Sequence, residues 1–191
     1  MRLDKKLNLV FPVETDAGTI YVHSTPISRE VFERYFLVVS KAFAAIYGEG
    51  LQLIAGPRVA YLMLKKIAED RGEWDGADGV HNGLIAEIRR LTNVVVSTDR
   101  GWRPIPYHIA VEHGQLDEQD VAEVEGMLCF FTCASAMHLR SQLTAILAGM
   151  TSLWGAQTTS LTCTEYAASL TTSTVTASSG ATEEITLSVP F

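Results

Sequence analysis

Residues 127–139 read MLCFFTCASAMHL, thirteen positions without one Asp, Glu, Lys or Arg until Arg140 closes the run. A stretch this apolar has to be buried, and its neighbours say in what form. It is too short to span a bilayer, which takes about 20 apolar residues as a helix. Upstream, DEQDVAEVEG opens at Asp117, a residue suited to an N-cap, with Leu116 and Val121 spaced as a hydrophobic staple across it. The carboxylates of that first stretch meet the positive end of the helix dipole. The pattern therefore predicts one long helix, polar at its start and apolar nearly all round from Met127, buried on several sides. After Arg140, Leu143, Ile146, Leu147 and Met150 continue the helical spacing.

Other segments follow the same logic. LNLVFPV and TIYVHST are β-rich runs separated by ETDAG, which predicts a hairpin whose Pro12 belongs at an edge or a strand end. TPISREVFERYFLVVSKAFAAIYGEG predicts a helix capped by Ser28 and ended by Gly48. Along it Phe32, Tyr35, Phe36, Val39, Phe43, Ile46 and Tyr47 form an aromatic stripe, read as core packing with a partner groove as the second reading. GPRVAYLMLKKIAEDRG predicts a second helix with Pro57 in its first turn and Gly72 at its exit. EWDGADGVHNG reads as a loop, and LIAEIRRLTNVVV as a short helix running into a strand or extended segment at Val94–Val96. STDRGWRPIPYH reads as a connector because Pro104 and Pro106 disfavour helix before them.

From Gln157 the chain turns Ser/Thr-rich, and its only charges beyond that point are Glu165, Glu183 and Glu184. SLTCTEYAASL fits one short helix; the remainder carries too little bulk to specify a core. The expected architecture is mainly α: an N-terminal β-hairpin and a helical bundle-like body over 1–156, then a Ser/Thr-rich appendage over 157–191, flexible in part or ordered on a partner. At 191 residues, 47% of them hydrophobic, the body is large enough for a core without disulfides or metal. A net charge of −7 gives no general attraction to nucleic acid or to anionic membranes. The opening MRLDKKLNLVFPV lacks the apolar core and cleavage site of a signal peptide, so a cytoplasmic protein with reduced thiols is expected.

The residues that could carry chemistry fall short of known patterns. Cys129 and Cys133 share a helix face and His138 follows, yet a structural zinc site needs a fourth ligand. A buried free cysteine behaves as a small hydrophobe. His108, Glu112 and His113 form a second thin cluster, which reads as a polar loop entering a helix. Asp75 and Asp78 lack the alternating oxygen ligands and terminal Glu of a calcium loop. Cys133 or Cys163 could act as a nucleophile only with a base brought by the fold. No nucleophile elbow, phosphate loop or dinucleotide fingerprint occurs, so no catalytic residue, metal or cofactor is expected.

Three phrases taken together, TIYVHSTPISREVFERYFLVVSKAFAAIY, GPRVAYLMLK and ASAMHLRSQLTAILAGMTSLWGAQTTSLTCTEYAASL, resemble the tail assembly chaperones of long-tailed bacteriophages. The resemblance runs from about Leu7 to Leu170. It implies a mostly helical, non-enzymatic protein of the host cytoplasm that coats the tape measure protein, helps tail tube subunits polymerise around it, and is absent from the finished virion. Many members also have a longer, frameshifted form. On that reading the partners are the tape measure and tail tube proteins, with a homo-oligomer allowed and neither nucleic acid nor membrane involved. The apolar helix would pack in the core or against another copy, with Met127, Phe130, Phe131 and Met137, together with Trp154, as partner-binding residues. The Ser/Thr-rich end departs from the family in carrying no recognisable tube-binding module. The alternatives are a structural virion component, such as a minor tail or tail-terminator protein, and a metal- or thiol-dependent enzyme.

Overall fold

The computed structural model describes residues 7–137 and 140–178. It corrects the expected fold class: the protein is α+β, with a five-stranded antiparallel sheet of order β4-β3-β2-β1-β5. Strands β1 (Asn8–Thr15) and β2 (Gly18–Ser24) are the expected hairpin, closed by the two-residue turn Asp16–Ala17, with Gly18 at φ +113°. The sheet continues through the strand or extended segment expected at Val94–Val96 and through two segments not expected to be strands. Thr92–Thr98 is a full strand, β3, and the Pro-rich connector is β4 (Gly101–Pro106). Both prolines of β4 are tolerated because the strand lies at the sheet edge, where a missing amide hydrogen breaks no inner ladder. The third addition, β5 (Gln157–Thr159), lies in the Ser/Thr-rich appendage and pairs with Asn8–Val10 of β1. Pro12 thus sits just past the end of β5, where a Cβ on Gly155 would lie 3.2 Å from its ring.

The helices form the second layer. In α1 (Arg29–Gly48) the Ser28 side chain accepts from the Val31 amide at 3.3 Å, and in α2 (Gln52–Asp70) Gly72 at φ +68° turns the chain out. Helix α2 begins earlier than expected, so Pro57 lies inside it rather than in its first turn. A π-helical turn, His81–Ile85, leads into α3 (Ala86–Arg90), and α4 (Tyr107–Glu112) follows the sheet. Helix α5 (Glu118–Met137) opens on a reciprocal cap: the Asp120 amide donates to Asp117 Oδ1 at 2.7 Å and the Asp117 amide to Asp120 Oδ2 at 3.1 Å. Helices α6 (Arg140–Trp154) and α7 (Cys163–Ser178) are the last two among the described residues.

Pleating divides the strands cleanly. Leu9, Phe11, Val13, Ile20, Val22, Val94 and Val96 face the main core shared with α1, α2 and α5, while Val10 and Val95 face outward, where Tyr166 and Ala167 of α7 cover them. Helix α5 is the keystone of the core: every residue from Val124 to Ala134 is buried. It meets α2 at two glycines. A Cβ on Gly126 would run into the Pro57 carbonyl, and one on Gly56 would fall 2.6 Å from the Phe130 ring. The glycines let the two backbones approach until the ring of Phe130 fills the space between them.

Candidate functional site

The buried helix fixes the places of the residues expected to meet a partner. Met127, Phe130 and Phe131 are inside the main core, while Met137 and Trp154 are half-buried at its margin. The first three can touch another protein only if α5 leaves the body. Cys129 and Cys133 are buried in the same helix; burial pushes the Cys133 thiol up to about 12 and the Cys129 thiol well above its ordinary range. Both are neutral thiols that pack as small hydrophobes. His138 lies outside the described residues, among which no group of three His, Cys, Asp or Glu could hold a metal ion.

One polar cluster crosses the core, and the sequence reading missed it. Arg89 of α3 pairs with Glu125 of α5 through Nε and Oε1 at 2.7 Å, and the Tyr107 hydroxyl donates to the same oxygen at 3.2 Å. Burial and the nearby Glu125 carboxylate hold the Tyr107 phenol far above its ordinary range, so it remains a donor. His108 and Glu112 line the mouth of this cleft of about 320 Å³, and His113 is not part of its lining. The cluster is a buried tie between α3, α4 and α5. The signal available in sequence was Glu125 itself, a carboxylate two residues before the apolar run, which needs a cation when buried.

Asp75 and Asp78 are exposed on a loop organised around Trp74. Its indole stacks on His81 with ring centres 5.2 Å apart, and Lys65 lies 5.7 Å from the ring centre. The Asp78 backbone carbonyl, rather than its carboxylate, is engaged, accepting from Tyr35 Oη at 3.2 Å. This geometry holds a loop in place.

The surface shows a different kind of candidate. The aromatic stripe of α1 divides: Tyr35, Val39 and Ile46 are buried, Phe32, Phe43 and Tyr47 are half-buried, and Phe36 is 49% exposed with Leu37 beside it at 45%. On α2, Ile54 is 80% exposed and Leu62 61%. Ile54, Arg58, Leu62 and Lys66 follow at intervals of four, so apolar and basic side chains alternate along one exposed ridge. Isolated exposed apolar residues are ordinary, but Phe36 and Leu37 on α1 and Ile54 and Leu62 on α2 make these two packed helices the candidate docking elements. Among the described residues no helix is long and apolar enough to cross a membrane.

No protein-family model, no curated protein and no solved structure matches this chain.

Proposed function

We propose that the chain is a non-catalytic tail assembly chaperone of a long-tailed phage, which binds the tape measure protein in the host cytoplasm and helps recruit tail tube subunits. The observation that carries this reading is the exposed apolar set Phe36, Leu37, Ile54 and Leu62 on the α1–α2 hairpin. A holdase needs apolar surface held on a body that stays folded and soluble, and a net charge of −7 supplies the solubility. The client face is accordingly assigned to the outside of α1 and α2 and not to the apolar run of α5.

Co-expression with a set of tape measure fragments tests the proposal. The wild-type chain is expected to raise the soluble yield of at least one fragment, and the double variant Ile54→Ser/Leu62→Ser to lose that gain. Both positions are exposed, so the variant should keep its unfolding free energy to within about 0.5 kcal/mol per site. No solubilisation of any fragment by the wild-type chain would sink the reading.

One observation favours the alternative of a structural virion component. Beyond Val10, strand β1 has no strand partner on the β5 side among the described residues, and past Pro12, which Gly155 packs against, Val13–Thr15 is an edge to which a neighbour could add a strand. Mass spectrometry of purified virions separates the two, since a chaperone leaves the particle and a structural subunit remains at fixed stoichiometry.

A further inference from the structure

The outer face of the sheet holds two buried polar side chains under the segment that leads into α7. The Leu161 carbonyl accepts from Asn8 Nδ2 at 2.8 Å and from His23 Nε2 at 3.1 Å. Asn8 and His23 are 4% and 2% exposed, and their remaining polar atoms, Asn8 Oδ1 and His23 Nδ1, are buried without a hydrogen-bond partner. With Nε2–H donating, the neutral form of the ring leaves Nδ1 as its acceptor. One residue further on, Thr162 and Glu165 cap α7: the Thr162 amide donates to Glu165 Oε2 at 2.8 Å and the Glu165 amide to Thr162 Oγ1 at 3.3 Å.

From this anchor the first two turns of α7 lie on the outer face of the sheet. Cys163, Tyr166, Ala167 and Leu170, spaced at i, i+3, i+4 and i+7, meet Val10, Tyr21, Val95 and Trp102. The Tyr21 ring stands edge-on to Trp102 at 5.4 Å and to Tyr166 at 5.9 Å. We propose that α7 is a releasable cover over this aromatic strip, clasped at the Leu161 carbonyl by His23 and Asn8 and let go when His23 takes a second proton. The proposal stands apart from the client-binding reading and does not need it.

The surroundings of His23 explain why protonation opens the clasp. Facing it are Tyr166 of α7, with ring centres 6.2 Å apart, Asn8 of β1, Asn93 opposite it on β3 and Tyr21 on its own strand. None is a carboxylate. Glu165, the acid at this end of α7, is exposed and engaged by Thr162. Burial therefore holds the imidazole below its ordinary range, and the bonds to the Leu161 carbonyl and to its own backbone oppose this only in part. The sign follows directly. The released state binds a proton near the ordinary value of 6.5, so the clasp is at full strength above that pH and weakens as pH falls through it towards the lowered clasped value.

The three thiols are built-in reporters. Cys163 is half-buried on α7, whereas Cys129 and Cys133 are enclosed in the core, so local release and global unfolding label different residues. The full-length chain is treated with 4,4′-dithiodipyridine at a series of pH values from about 8 to 5. The label is located by mass spectrometry, and each rate is corrected by that of free cysteine at the same pH. Cys163 is expected to react several-fold faster on the acid side while Cys129 and Cys133 stay protected. His23→Gln, whose amide can still donate to Leu161 but does not titrate, is expected to abolish the pH dependence. A flat wild-type profile at Cys163, three thiols that open together, or a persisting acid acceleration in His23→Gln would each overturn the proposal. The wild-type comparison decides even if that variant fails to fold.

Discussion

Helices α5 and α7 both open with an acidic first turn and a polar cap, yet they relate to the body in opposite ways. Helix α5 is enclosed on all sides over Val124–Ala134, while α7, over the part whose side chains are described, meets the outer face of the sheet through Cys163, Tyr166, Ala167 and Leu170. Capping and spacing made both segments helical; apolar content around the full circumference, not helicity, sent one to the centre. The mutational consequences should differ accordingly. Damage to α5 should unfold the whole molecule, and damage to α7 should be felt where it occurs.

The largest effect is expected at Phe130. Its ring is fully buried and fills the contact with Gly56, so Phe130→Ala leaves a void between α2 and α5 that two packed backbones cannot close. A loss of about 3–5 kcal/mol is expected in urea denaturation, with all regions melting together. A smaller loss, or a transition in which α2 and α5 separate from the sheet, would show that α5 is not the keystone.

Gly126→Ala probes the same crossing from the other side. The added methyl meets the Pro57 carbonyl, which is backbone and cannot rotate away, so the helices must shift apart. Overpacking of this kind costs about 1–3 kcal/mol. Gly48→Ala, where a Cβ meets nothing within 4 Å, is the matched control and should leave the midpoint nearly unchanged. Equal effects at the two glycines would mean that helix propensity rather than close approach sets the requirement.

Much of this contrast can be read in the sequence, and the rest has specific physical reasons for being hidden. The caps at Ser28 and Asp117, the exit at Gly72 and the hairpin ahead of α1 rest on neighbours within a few residues, and the sequence reading found them. Strand β4 was hidden because Pro104 and Pro106 argue against a strand until it is known to be an edge, and edge position is a property of the whole sheet. Strand β5 has three residues, too few for any periodicity, and exists because β1 offers Asn8–Val10 to it. The pair Arg89–Glu125 spans 36 residues, beyond any local pattern. Of the surface candidates, Phe36 was named within the aromatic stripe. Spacing alone did not show which of those aromatics would face outward, and Ile54 and Leu62 stand out only once α2 has a buried side.

The smallest global effect is expected at Tyr166. Its side chain is buried against Tyr21 and near His23, and its hydroxyl accepts from Gln157 Nε2 at 3.3 Å, yet all of these contacts belong to the outer face. If α7 is a separately stable unit, Tyr166→Ala weakens its docking by about 1–3 kcal/mol and leaves the main core untouched. Hydrogen exchange should then show lost amide protection across α7 with α5 as slow as before, and the global unfolding free energy from urea denaturation should fall by no more than about 0.5 kcal/mol. The sheet supplies the physical reason for that separation. It stands between the two clusters, its inner residues packed with α5 and its outer residues with α7, so a cavity on one side need not propagate through a hydrogen-bonded ladder to the other. A midpoint that falls with Tyr166→Ala as far as with Phe130→Ala would make the two helices one cooperative unit and remove the ground for treating α7 as a cover.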